Sequence, residues 1–245
     1  PVHDTRSDPL GLAAYKEAKA PAEGAQAPTM SSWHAGQSWN ANAMGALGRV
    51  AAQPSLAIPH VTVTHIGCLD FHALREAGCK GIVFDKDNTL TAPYVEEVHP
   101  LVREGLDRCL REFQGRVCIL SNSAGTDDDE GYEAARKIEA GLGLPVIRHK
   151  EKKPAGLQDV LDFFHHQSGE AVRPTELVMV GDRLLTDVVF GNLYGMLTVH
   201  TRPLTLEGDN KVARVIRPLE TAVFLRLRGV VKPPVHPFDR RDFLL

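Results

Sequence analysis

Five short apolar runs alternate with stretches of helical periodicity from about residue 80 onward, and that alternation leaves few folds open. Gly81-Ile82-Val83-Phe84, Val117-Cys118-Ile119-Leu120, Val146-Ile147, Leu177-Val178-Met179-Val180 and Met196–His200 read as buried strands. Between the first two, Leu101, Val102, Gly105, Leu106, Cys109, Leu110 and Phe113 fall at helical spacing, and Pro100 suits a first turn. Helices are also expected over 130–143, from Pro154 to about His166, and over 184–194. Such an order predicts an α/β, Rossmann-like three-layer sandwich with a mostly parallel sheet. Ligands of these folds sit beyond the carboxyl ends of the strands.

Several polar groups are therefore brought to one sheet edge. Asp85 follows the first run, Ser121 the second, and Asp182 the fourth by way of Gly181. In Asp85-Lys86-Asp87 the two carboxylates lie two residues apart on an extended segment and point to the same side. They repel unless a cation lies between them or one is protonated. One can then act as nucleophile and the other as general acid and base. A calcium loop starting at Asp85 is excluded: its sixth position is Leu90 instead of glycine, and a strand precedes it instead of a helix.

Asp182 can complete a hard-cation site with Asp85, and oxygen-only ligands favour magnesium when phosphate and water fill the remaining positions. Asp187 has three readings: contact with a metal-bound water, orientation of Arg183, or a helix cap. Ser121 and Asn122, at a strand end, can hold phosphate oxygens. Lys152 and Lys153, just before a helix start, add positive charge where the helix dipole already favours anions.

Composition narrows the classes further. The chain has 28 basic and 31 acidic residues, a net charge of −3, so nothing overall points to nucleic acid. No apolar run approaches the ~20 residues needed to span a bilayer. The four cysteines contain no C-x-x-C pair, which argues against zinc or redox motifs and for a reduced, buried role. The first residue is Pro1 and not Met, so an original start elsewhere is expected. Residues 1–59 read as an N-terminal extension, alanine- and proline-rich over 1–43 and too poor in arginine for a transit peptide. Residues 60–210 read as the catalytic domain, and 211–245 as a C-terminal extension packing on the core or on a partner.

Taken in order, these runs resemble the haloacid-dehalogenase (HAD) superfamily of phosphohydrolases. Asp85-Lys86-Asp87-Asn88-Thr89 matches its D-x-D-x-T pattern; Ser121, Lys153 before Pro154, and Gly181-Asp182 with Asp187 match the other three motifs. The resemblance covers roughly residues 79–205. It implies that Asp85 attacks phosphorus to form an aspartyl-phosphate, and that Asp87 serves as acid and then base. It further implies Mg2+ held by Asp85, the Asp87 carbonyl and Asp182, with Ser121, Asn122 and Lys153 on the phosphoryl group. The gaps between motifs are each used up by one helix and one strand, so no cap domain and an open site are expected.

The finer wording of Asp-Lys-Asp-Asn-Thr-Leu, Ser-Asn-Ser-Ala-Gly, Arg148-His149, Lys152-Lys153-Pro154 and Val-Gly-Asp-Arg-Leu-Leu-Thr-Asp is similar to the fungal mitochondrial phosphatidylglycerophosphate phosphatases. So is Gln53–His60. That resemblance implies hydrolysis of phosphatidylglycerophosphate to phosphatidylglycerol in cardiolipin biosynthesis, at the matrix face of the mitochondrial inner membrane. The alternatives are a capless phosphatase for a soluble phosphomonoester or phosphoprotein, and a non-catalytic scaffold, which the full set of charged residues disfavours. Arg148, His149 and Lys150, with Arg183, are candidates for holding the lipid head group, at about 1 kcal/mol per basic residue near an anionic surface. Residues 44–58 and 219–231 each admit two readings, a membrane-interfacial segment or core packing. Self-association would add avidity to a peripheral enzyme.

Overall fold

The computed structural model describes residues 41–205, 211–238 and 243–245. The expected extension over 1–43 lies outside these residues except for its last three positions. The elements are α1 (Ala41–Ala52), β1 (Val61–Val63), α2 (Phe71–Glu76), β2 (Gly81–Phe84), α3 (Pro100–Phe113), β3 (Val117–Ile119), α4 (Glu133–Leu142), α5 (Leu157–Ser168), β4 (Leu177–Gly181), α6 (Val189–Tyr194), β5 (Leu197–Thr201) and α7 (Lys211–Leu227).

The five strands form one sheet in the order β1-β5-β4-β2-β3, and each neighbouring pair is parallel. Period-2 alternation divides the strand side chains between the two faces. Ile82, Phe84, Val117, Ile119, Val178 and Val180 pack with Val102, Leu106, Cys109 and Phe113 of α3 and with Ile138 of α4. Val83, Cys118, Leu177 and Met179 point the other way, onto Val160 and Phe164 of α5 and Phe190 of α6. Side chains buried on both faces make the strands continuous apolar runs, each full burial contributing about 1.5–3 kcal/mol. The three-layer α/β architecture is the one the alternation implies.

Local chemistry sets the helix ends. Pro100 occupies the first turn of α3, and the His99 side chain accepts the Leu101 N–H at 3.3 Å. Residues 184–194 are helical in two parts: a π-helical turn over Leu184–Val188, then α6. The helix expected from Pro154 starts three residues later, after Gly156 at φ +88°. The strand expected at Val146-Ile147 is reduced to one bridge between Val146 and Ile119. β1 was not anticipated, because three residues with Thr62 between two valines give too short a pattern.

Ala46 and Val50 of α1, with Leu56 and Ala57, are buried against Leu185 and Val189. Asn192 fastens this segment by donating to the carbonyls of Leu56 (2.9 Å) and Ile58 (2.8 Å). At the other end of the chain, Phe243 is buried and its carbonyl accepts the Asp70 N–H at 3.0 Å.

The chain leaves β2 for β3 on one side and returns to β4 on the other. The carboxyl ends of β2 and β4 thus flank the topological switch point, where α/β sheets bind ligands. Asp85 and Asp182 occupy those two ends.

Candidate active site

Asp85 is the first residue past β2, and its N–H still donates to Val180 O at 2.8 Å, so the sheet itself aims its side chain. The run then turns sharply. The N–H groups of Leu90 and Thr91 both reach Lys86 O, Asn88 takes the left-handed conformation at φ 62°, and Leu90 is fully buried. Asparagine tolerates that conformation better than most residues.

Lys153 crosses the site from the loop before α5. Its ammonium donates to Asp85 Oδ1 at 2.7 Å and to Asp187 Oδ1 at 2.6 Å, with 1% of the Lys153 side chain exposed. Burial acts to lower the Lys153 pKa, but Asp187 and Asp85 outweigh it and hold the ammonium above its usual range. Burial likewise raises the Asp85 carboxyl, against the pull of Lys153. A buried ion pair is retained only where partners satisfy both charges, and here one cation serves two anions.

The loops carrying Ser121 and Lys153 are zipped together. Lys153 N–H donates to Asn122 Oδ1 at 2.8 Å, and Asn122 Nδ2 lies 3.5 Å from Lys153 O. Ser121 Oγ accepts the Ser123 N–H at 3.2 Å. His149 is buried, with one ring nitrogen on Ser121 O (2.8 Å) and the other on Glu151 O (2.7 Å). It therefore braces both loops, with its ring nitrogens committed to backbone.

On β4, Gly181 admits Asp187: a Cβ there would fall 2.3 Å from Asp187 Oδ2. Asp187 Oδ2 accepts the Arg183 N–H at 3.1 Å, which ties the π-helical turn to the site. Such turns recur at functional sites. Asp182 is fully buried; its carbonyl accepts from His200 Nε2 at 3.1 Å, and its Oδ2 lies 2.6 Å from Arg217 Nη1. Burial pushes the Asp182 carboxyl up to about 8 despite Arg217.

Oxygen atoms of Asp85, Asp182 and Asp187 lie within 4.8 Å of one another. Asp182 Oδ1 is buried with no hydrogen-bond partner among the described residues. An orphaned carboxylate oxygen beside two further carboxylates fits a divalent cation that prefers oxygen.

Other residues singled out in the sequence fall around this centre. The Asp87 side chain is one-third exposed and outside the carboxylate cluster; its Oδ1 accepts from Lys86 Nζ (2.7 Å) and Tyr94 N–H (3.3 Å). Arg183 buries an unpartnered Nε and lies close enough to Asp85 and Glu220 to act on their charges. Arg148 is paired with Glu139 and stacks 5.6 Å above the Tyr132 ring, so its guanidinium is already engaged. Lys150 is exposed, and Lys152 pairs with Asp128. Sequence reasoning missed Arg217 and Glu220, because α7 carries no motif and only the fold brings it to the site.

An aspartate at a strand end, a shared buried lysine and an aspartate cluster at the switch point match a HAD-like phosphohydrolase. The profile of the family described as "Mitochondrial PGP phosphatase" matches residues 41–205, from α1 to just beyond β5. The chain belongs to this family. It is 45% identical over 193 residues to phosphatidylglycerophosphate phosphatase 1, chloroplastic, of Chlamydomonas reinhardtii, covering 78% of this chain and 70% of that one. It is 42% identical to the chloroplastic/mitochondrial enzyme of the same name from Arabidopsis thaliana, covering 76% of this chain and about half (53%) of the plant protein. A mitochondrial phosphatidylglycerophosphatase of Saccharomyces cerevisiae is 32% identical, over 63% of this chain and 82% of the yeast protein.

Proposed function

We propose that this protein hydrolyses phosphatidylglycerophosphate to phosphatidylglycerol and phosphate, with Asp85 as covalent nucleophile. The observation that carries the mechanism is Lys153, buried and shared between Asp85 and Asp187 beside Asp182. The substrate is supported by family membership and by the names of three relatives.

Lys153 occupies Asp85 Oδ1 and pulls its carboxyl pKa down against the rise that burial causes, leaving Oδ2 to attack. A bond forms from that oxygen to phosphorus, and the bond from phosphorus to the glycerol oxygen breaks. Asp87, as general acid, gives a proton to the departing oxygen. It then takes a proton from the water that attacks the aspartyl-phosphate, which releases phosphate and restores Asp85. Its partial exposure suits a group that must reach both a leaving lipid and water. Ser121 and Asn122, on loops braced by His149, hold the phosphoryl oxygens, and Lys153 offsets charge as it develops.

Asp85, Asp182 and the Asp87 main-chain carbonyl would hold Mg2+, with Asp187 behind them. When bound, the ion supplies positive charge against the phosphoryl oxygens and orients them. All-oxygen donors support magnesium over softer metals.

Among the described residues, no helix is long and apolar enough to cross a membrane. The membrane contact we propose is peripheral. The surface we assign to it is the outer end of α7 and the turn after it. There Leu225, Val230 and Val235 are exposed among Arg226, Arg228 and Lys232. Apolar residues ringed by cations suit an anionic leaflet. The compartment proposed is the mitochondrion, at the matrix face of the inner membrane. The family description and the yeast relative support it, whereas the algal relative is named for the chloroplast. Imaging a tagged full-length protein separates the two. Self-association on that surface would raise avidity.

The test is phosphate release from phosphatidylglycerophosphate in vesicles against soluble phosphomonoesters, each with and without Mg2+. A strong preference for the lipid, lost without Mg2+, is expected. Equal turnover of soluble esters, with no affinity for anionic vesicles, would favour the soluble-substrate reading.

A further inference from the structure

α7 reaches the site although it lies beyond the residues that match the family. Three of its side chains, at spacings of three and four along one helix face, meet Asp182, Leu185 and His200 in turn. Arg217 Nη1 is 2.6 Å from Asp182 Oδ2, with 14% of the arginine side chain exposed. Glu220 is buried and accepts the Leu185 N–H at 3.0 Å. The Phe224 ring lies 5.9 Å from that of His200, which itself donates to the Asp182 carbonyl.

The charges are divided unevenly. Lys153 bonds Asp85 and Asp187, so the counter-charge at Asp182 comes from α7. A divalent ion that uses Asp182 meets a guanidinium a few ångströms away, and like charges at that range disfavour one another strongly in a buried site.

We propose that Arg217 is a built-in counter-ion of Asp182 that competes with the divalent cation, so that metal loading and docking of α7 oppose each other. The coupling is reciprocal: the affinity that Arg217 takes from the metal, the metal takes from α7. The same helix ends in the exposed residues assigned above to the membrane, so a bilayer that displaces α7 would favour metal loading. Arg217 acts through Asp182 and is a positioning residue.

The proposal rests on the metal reading above, and the two are separated by calorimetric titration with MgCl2 of the full chain, Asp182→Asn and Arg217→Gln. Binding by the wild type that Asp182→Asn loses supports the metal site. Arg217→Gln should then bind Mg2+ at least ~5-fold more tightly, a sign opposite to that of structural damage. Hydrogen exchange of the wild type gives a second measurement independent of any variant: amides of residues 219–227 should exchange faster with Mg2+ than without. Unchanged or weaker Mg2+ binding by Arg217→Gln, or α7 amides that Mg2+ protects, would overturn the proposal. Absence of Mg2+ binding by the wild type would remove the metal reading and the proposal with it.

Discussion

Lys153 and Asp85 stand 68 positions apart in the chain and 2.7 Å apart in the fold, with the lysine also held by Asp187 at 2.6 Å. One buried ammonium thus ties together the end of β2, the π-helical turn after β4 and the loop before α5. It also opposes the rise that burial imposes on the pKa of the proposed nucleophile.

Removing it should hurt both stability and rate. Lys153→Met leaves two buried carboxylates without their cation, a loss of about 3–5 kcal/mol. Phosphate release should fall roughly 10²–10³-fold, as for other losses of aimed charge. Lys153→Arg should recover part of the stability and less of the rate. Thermal melts with phosphate-release kinetics check this; a stable, fully active Lys153→Met would contradict it.

Gly181 is required by a close approach. Its added Cβ would fall 2.3 Å from Asp187 Oδ2. Gly181→Ala must push Asp187 off Lys153 and the Arg183 N–H, so kcat should drop roughly 10- to 100-fold while the far-UV spectrum stays native. Wild-type kinetics from the alanine variant would mean that Asp187 has slack the structure does not give it.

Thiol chemistry should separate the cysteines. Burial pushes Cys79 up to about 12 and Cys109 and Cys118 well above the ordinary thiol range. Cys68 is half-buried. A disulfide reagent at neutral pH should modify Cys68 alone in the native protein, and all four thiols in guanidinium. Rapid native labelling of Cys109 would contradict the packing of α3 on the sheet, and rapid labelling of Cys118 that of α5.

Acid should loosen the C-terminal tail. Burial lowers the His236 pKa to about 4 from its ordinary 6.5, beside His60 and Phe238. The fold therefore favours the neutral ring, and its contribution is complete above pH 6.5 and lost as pH falls towards 4. Wild type should lose more thermal stability than His236→Leu between pH 7 and 4.5. Equal losses in the two proteins would contradict this placement.

How much of this was legible in the sequence follows from what repeats there. Continuous apolar runs, set between stretches of helical periodicity, specify a buried strand such as 177–181 without any partner, and the strand ends then place Asp85, Ser121 and Asp182 on one edge. Pairings between distant elements leave no such trace. The basic run around Arg148 reads as a charged patch because Glu139, which engages it, sits on another element. The apolar stripe of α1 says that something covers it, but not that Leu185 and Val189 do. Asp187 admitted three readings until the fold put it between Lys153 and Arg183 N–H, and Arg217 had no local signal at all.

The central claim is that Asp85 carries the phosphoryl group. The direct measurement is an acid quench of the enzyme turning over phosphatidylglycerophosphate with Mg2+, followed by mass mapping of its peptides. The expected result is a phosphate adduct on Asp85 that hydroxylamine removes, absent from Asp85→Asn together with phosphate release. An adduct on another residue, or near-normal turnover by Asp85→Asn, would contradict the account.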